Sequence, residues 1–227
     1  MRDGLSIAID GPVAVGKTVV GRALAARLRY RFLDTGVMYR AVTWVALGRD
    51  KLAHTSAEQD LVDIAMHLCI DILGHPHEQQ VLVDGADVTD SLRSLAVERK
   101  VSSVAQIPGV REALVAKQRA LANSGSIVMV GRDIGTVVLP NADLKIFLKA
   151  SVPERAQRRY AQIQSGGSES DLELVQQYME ERDRIDTQRA HSPLQMAQDG
   201  IPISTDSLSV DDVVEHILNL LHQSYYD

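Results

Sequence analysis

Short apolar runs alternate along this chain with stretches of helical periodicity. Leu5-Ser6-Ile7-Ala8-Ile9, Ser126-Ile127-Val128-Met129-Val130 and Leu144 to Leu148 each read as a short buried strand, because they are largely apolar on both faces. Ile201-Pro202-Ile203-Ser204 is a fourth, and Pro202, which lacks an N–H, assigns it to a sheet edge or a strand start. Arg31-Phe32-Leu33 is a very short fifth. Helical spacing begins at Lys17 and continues through Val20, Leu24 and Leu28. Strands separated by helices predict βα units and a parallel sheet. Near the far end Ser209 and Asp212 form a capping box. Val210, Val213, Val214, Ile217, Leu218 and Leu221 then fall on one buried helix face.

The middle departs from this rhythm. Cys69 to Leu73 and Gln80 to Gly85 are strand-like runs on either side of a His75-Pro76-His77 turn, and Ala86-Asp87-Val88-Thr89 follows closely. Close strands and tight turns predict a small antiparallel unit, with 65–110 inserted into a core formed by 1–64 and 111–227. Ser165-Gly166-Gly167-Ser168 predicts a flexible tip between two helices. His75 and His77 are turn residues in this reading, since two histidines without further ligands make a poor metal site. Cys69, the only cysteine, reads as a buried apolar filler.

Composition narrows the class. With 45% hydrophobic and 24% charged residues, the 227-residue chain is neither a disordered nor a low-complexity sequence. A single cysteine excludes an internal disulfide framework. No apolar run approaches the roughly 18 residues of a membrane span, and the apolar stretch at the start is too short for a secretory core. The expected setting is a reducing cytoplasm, without a membrane partner. The formal net charge of −6 argues against a nucleic-acid partner. Any anion binding therefore rests on local clusters.

One such cluster is explicit. Gly11-Pro12-Val13-Ala14-Val15-Gly16-Lys17-Thr18 fits G-x-x-x-x-G-K-[ST], preceded by a strand and followed by a helix, as a nucleotide-phosphate loop requires. In such a loop successive N–H groups point inward as a nest for phosphate oxygens, and the helix N-terminus adds partial positive charge. Lys17 is expected on the β/γ-phosphates and the Thr18 hydroxyl on Mg²⁺. Two positions are unusual for nucleotide kinases. Ala14 replaces a glycine, which fits only if its φ is negative. Val19 replaces a second hydroxyl and weakens the nucleotide contact slightly.

The acceptor is read from the remaining charges. Arg155, Arg158 and Arg159 share a helix face, as do Arg182, Asp186 and Arg189, and the two sets flank the glycine-serine tip. Either set alone reads as a solvated face. Together, beside a phosphate loop, they read as an arginine clamp on a transferring phosphoryl group, since a planar guanidinium meets phosphate in two parallel hydrogen bonds. Thr35 is a candidate N-cap for the next helix, and Arg40 on that helix is within reach of an acceptor phosphate. Gly131-Arg132-Asp133 follows a strand at the carboxyl edge of the sheet, where open α/β sheets bind ligands. Arg132 reads as a phosphate ligand. Asp133 reads either as a carboxylate near Mg²⁺ or as a partner of an acceptor base. A monophosphate acceptor is already largely ionised near neutral pH and needs cations rather than a general base. This arginine census therefore favours a monophosphate over an alcohol.

These residues resemble the bacterial cytidylate kinase family, within the nucleoside monophosphate kinases. The likeness runs over nearly the whole length. It is carried by Ile9-Asp10-Gly11-Pro12, Leu33-Asp34-Thr35-Gly36 with Met38-Tyr39-Arg40, Val83 to Thr89, Pro108-Gly109-Val110-Arg111, Gly131 to Val138, and Arg182-Asp183-Arg184 through Asp186 to Arg189. The resemblance implies an α/β fold: a P-loop kinase core with a five-stranded parallel sheet flanked by helices, a small antiparallel nucleotide-monophosphate-binding insertion, and a short lid at about 155–189. It implies transfer of the γ-phosphoryl group of ATP to CMP or dCMP with Mg²⁺, by a monomer. It places Ser102, Arg111 and Asp133 on cytosine, Thr35, Asp186 and Arg189 on sugar and phosphate, and Arg40 and Arg132 on the acceptor phosphate. Lys17, Arg132, Arg158, Arg182 and Arg189 are the expected catalytic cations. Three alternatives stay open. One is a UMP acceptor. Another is an alcohol acceptor such as shikimate, with Asp34 as base. The third is a nucleotide-binding switch protein, although its N-K-x-D signature is absent.

Overall fold

The computed structural model describes residues 4–49, 57–165 and 170–225. The chain opens with β1 (Ser6–Asp10), α1 (Lys17–Leu28), β2 (Arg31–Asp34), α2 (Gly36–Gly48) and α3 (Ala57–His67). Next come β3 (Ile70–Leu73), β4 (Gln80–Val83), β5 (Ala86–Asp87), α4 (Leu95–Val104) and α5 (Pro108–Ala122). It closes with β6 (Ile127–Gly131), β7 (Leu144–Lys149), α6 (Val152–Ser165), α7 (Leu172–Gln188), β8 (Ile201–Ser204) and α8 (Val210–Tyr225).

Five strands form one sheet in the order β2-β6-β1-β7-β8, every pairing parallel. All residues of β1 and β6 are buried, since helices cover both faces. Alternate residues serve the two sides. Ile7, Ile9, Val128, Val130 and Phe32 pack with Leu24 of α1 and Val214 and Ile217 of α8. Ala8, Leu33, Ile127 and Met129 pack on the other side with Val42 of α2, Ile64 of α3 and Leu114 of α5. Gly21 lets α1 lie close to the sheet: a Cβ there would stand 2.6 Å from Val130 Cγ1 and 2.8 Å from the Phe32 ring.

The inserted strands form an antiparallel sheet in the order β3-β4-β5. Val81 and Val83 of β4 belong to the same apolar cluster as Leu33 and Met129 of the parallel sheet, so both sheets share one core. The strands expected from the sequence stand within a residue or two of their predicted places, with β8 at the sheet edge as Pro202 required. The capping box also forms: Ser209 N–H donates to Asp212 Oδ2 at 3.0 Å and Asp212 N–H to Ser209 Oγ at 3.2 Å.

Three expectations fail or fall outside. Cys69 is not buried; it is exposed just before β3, with its thiol directed to Asp71 Oδ2 at 3.6 Å, because β3 alternates outward at this end. Val210 is 40% exposed, since the first turn of α8 reaches past the core to a cleft. The glycine-serine tip at 166–168 lies outside the described residues.

Candidate active site

The carboxyl ends of β1, β2 and β6 open into a cleft of about 710 Å³. Its wall gathers the loop residues Val13, Ala14, Val15, Gly16, Lys17, Thr18 and Val19 with Thr35, Arg40, Ser102, Arg111, Arg132, Asp133, Arg158, Arg182, Asp186 and Arg189. Of the predicted site residues, Gly11 and Pro12 at the root of the loop and Arg155 of the arginine face lie off this wall. Arg159 and Glu98 also line it.

The loop's geometry follows from its residues. Gly16 ends it at φ 99, the left-handed region that lets the chain turn into α1. Ala14 contradicts the expectation of a negative φ: it stands at φ 57. That conformation costs a non-glycine residue about 1–2 kcal/mol and persists only where surrounding contacts hold it. Those contacts come from α6 and α7, against whose apolar cluster Val13 and Ala14 pack. Lys17 is buried and its ammonium donates to the Pro12 carbonyl at 2.6 Å. Burial, with Arg132 adding to it, drives the Lys17 pKa well below the ordinary lysine value. Such a lysine binds most strongly when anions share the cleft.

Thr18 Oγ1 donates to Asp34 Oδ2 at 2.7 Å, while Asp34 Oδ1 accepts from Gly36 N–H at 3.0 Å. Spending its proton on Asp34 leaves the Thr18 oxygen's lone pairs for a cation. A hydroxyl and a carboxylate side by side on the cleft wall are hard oxygen donors, the type Mg²⁺ takes. The donor set therefore fits that ion. Thr35 stands at the N-cap position of α2, but its hydroxyl does not cap the helix; it donates to the Val130 carbonyl at 3.0 Å. Asp34, one residue earlier, takes the free N–H instead.

Opposite the loop lies a buried charge network. Asp133 pairs with Arg111 and lies 3.8 Å from Arg189 Nη2, with all three side chains nearly inaccessible to water. The Arg111 guanidinium stacks over the Tyr39 ring, 5.3 Å from its centroid. Burial pushes the Tyr39 phenol up to about 12, which keeps it neutral. Arg132 Nε donates to Asp186 Oδ2 at 2.7 Å. Burial alone would raise the Asp186 pKa, but Arg132, Arg182 and Arg189 more than offset it and hold the carboxyl below its usual value. Burial, then Arg132, lowers Arg182. The Nε atoms of Arg111 and Arg182 and Nη2 of Arg189 are buried donors with no hydrogen-bond acceptor among the described residues. Buried donors are otherwise almost always paired, and these three stand on the cleft wall, where an anionic or polar ligand could take them.

The other arginines divide. Arg158 lines the cleft while its guanidinium is braced on Thr205 Oγ1 at 2.9 Å and the Thr205 carbonyl at 2.7 Å. Arg40 and Arg159 both pair with Glu98 of α4, and Tyr178 OH of α7 donates to the Glu98 carbonyl at 3.0 Å. Arg155 is the exception to the arginine face. It is buried and turns away from the cleft toward Asp183 and the main chain of Val13, because it sits in the first turn of α6, directly over the phosphate loop. Ser102 lies half-buried on the cleft side of α4. Sequence reasoning missed Glu98 and Asp10. Glu98 joins partners 58 and 61 residues away and no local pattern marks it. Asp10 is buried and accepts from Ile134 N–H at 2.8 Å and Gly135 N–H at 2.7 Å, fixing the segment that carries Arg132 and Asp133. A charged residue closing an apolar strand was the available signal for it.

Comparison with known proteins shows the family and the fold. A model of the cytidylate kinase family matches residues 7–223. The chain is 50% identical over 223 residues to a cytidylate kinase of Geobacillus kaustophilus (strain HTA426), covering 98% of this chain and 99% of that one. It is 48% identical over 224 residues to a cytidylate kinase of Listeria innocua serovar 6a (strain ATCC BAA-680 / CLIP 11262), covering 98% of each. Among solved structures, an uncharacterized protein from Eubacterium ventriosum ATCC 27560 aligns with a TM-score of 0.52 at 16% identity, over 96% of this chain and 98% of its own, a likeness that speaks for the fold alone. The chain belongs to the cytidylate kinase family.

Proposed function

We propose that this chain transfers the γ-phosphoryl group of ATP to CMP or dCMP, with Mg²⁺, as a cytoplasmic monomer. The observation that carries the reading is the opposition, across one cleft, of a phosphate loop and a buried carboxylate held by two guanidiniums. The loop's N–H groups and Lys17 take the donor's phosphates. Thr18, steadied by Asp34, would hold Mg²⁺, which when bound neutralises charge on the transferring oxygens. Arg40 and Arg132 meet the acceptor phosphate, and Arg158, Arg182 and Arg189 stabilise charge as it spreads over the moving group. Thr35, Asp186 and Arg189 serve sugar and phosphate. Holding the two substrates together supplies much of the rate, because the acceptor oxygen needs no general base.

Asp133 selects the base. Its carboxylate accepts from the cytosine N4 amino group, while Arg111 and Ser102 donate to O2 and N3. Uracil presents an oxygen where cytosine has that amine, and would set an acceptor against a buried carboxylate. The family's name for its members, the arginine census and the ionised Asp186 all support this reading. A coupled assay over CMP, dCMP, UMP, AMP and shikimate tests it. CMP and dCMP are expected to turn over at least about 100-fold faster than UMP, in line with sites built to hydrogen-bond a substrate group. Equal use of UMP would refute the base assignment, and turnover of shikimate would refute the acceptor class.

A further inference from the structure

The phosphate loop is gripped from outside. Asp183 of α7 accepts from the Val13 N–H through Oδ1 at 3.2 Å. Arg155 of α6 donates to the Val13 carbonyl at 3.1 Å. The two side chains pair with each other through Asp183 Oδ2, with Arg155 only 5% exposed. Both main-chain polar groups of one loop residue are thus held by an ion pair whose halves come from different lid helices. The peptide following Val13 is the one whose orientation sets φ of Ala14. That residue stands at φ 57, and with Val13 it packs on Ala156, Val175 and Met179 of the same two helices. Neither Arg155 nor Asp183 faces the substrates: neither lines the cleft.

We propose that Arg155 and Asp183 are positioning residues that seat α6 and α7 on the phosphate loop and hold it in the left-handed turn at Ala14, so that lid docking and the grip on the donor nucleotide form one two-state unit. The proposal rests on the nucleotide-loop reading above and adds a cause for the loop's shape. A left-handed alanine needs enforcement, whereas glycine takes the same conformation without it. The clamp should therefore matter less once residue 14 is glycine, which a purely structural ion pair would not show.

The test is a cycle of Asp183→Asn and Ala14→Gly, with ATP binding measured by calorimetry on the full chain. Asp183→Asn is expected to weaken ATP binding about 10-fold or more with alanine at 14 and no more than about 3-fold with glycine at 14, while CMP binding changes less than twofold. The Val13 amide is expected to exchange with solvent faster in Asp183→Asn and unchanged in Arg184→Gln, whose side chain pairs with Glu181 at the surface. Should Asp183→Asn fail to fold by circular dichroism, Arg155→Gln reads the same coupling. Equal losses in both backgrounds, or an unchanged ATP affinity, would overturn the clamp while leaving the loop reading intact. Failure of the unaltered chain to bind ATP would overturn both.

Discussion

Asp10 shows how a single buried charge can write itself into the whole protein's response to pH. Burial raises its pKa from 3.8 to about 6. The two N–H bonds from Gly135 and Ile134 oppose the shift, Asp133 adds to it and Lys17 subtracts from it. The native carboxyl therefore keeps its proton over a window in which the unfolded one has already lost it. Stability falls as pH rises through that window, and about 3 kcal/mol is lost by neutrality. Urea titrations from pH 4 to 7 should show this decline, and Asp10→Asn should flatten it. Lys17 carries a functional prediction instead. Lys17→Ala should lower phosphoryl transfer by about 1,000-fold or more, because it removes a charge that acts mainly in the transition state. Its melting temperature should stay near that of the unaltered chain, since the cost of burying the ammonium offsets what its bond to the Pro12 carbonyl contributes. Residue identity was legible at these sites, but residue conformation was not. Ala14 was read from its own preference, yet contacts with helices about 140 to 165 residues further along override that preference.

Elements were easier to foresee than their orientation. The apolar runs of β1, β6 and β7 and the capping box at Ser209 are local signals, and local hydrogen bonding and burial realise them. Arg155, Arg158 and Arg159 share a helical spacing, which cannot tell that the first of them meets another loop while the others meet the cleft. Cys69 illustrates the same limit in a strand, because which end of a short hairpin is covered depends on the layer beneath it. Packing between elements also decides the next prediction. Gly21→Ala gains up to about 1 kcal/mol of helix propensity. The new methyl would press on Val130 and Phe32, where overpacking costs about 1–3 kcal/mol. The balance is a net loss of stability, to be checked by chemical denaturation.

At the scale of the molecule, Glu98 joins three parts of the chain: Arg40 on α2, Arg159 on α6, and Tyr178 on α7 through its carbonyl. The acceptor phosphate competes with this carboxylate for Arg40 in the proposed cycle, so substrate binding and cleft closure are linked. Glu98→Gln should loosen α4 from α6 and α7. Hydrogen exchange in those helices should rise in the substrate-free protein, and the difference should shrink when CMP and an ATP analogue are present.

The rims of the parallel sheet carry a last consequence. On β8 the Thr205 N–H turns inward to Lys149, so by alternation Pro202 occupies an outward slot where an N–H would otherwise face solvent. On β2 the Phe32 carbonyl is taken by the side-chain amide of Gln79 at 2.8 Å. Each border thus has one of its docking points removed, by a missing donor on one side and an occupied acceptor on the other. Molecules meeting flank to flank in a concentrated solution find no continuous ladder to extend, and the charged Arg31 and Asp34 on the β2 border add to this fold's resistance to ribbon-like polymerisation.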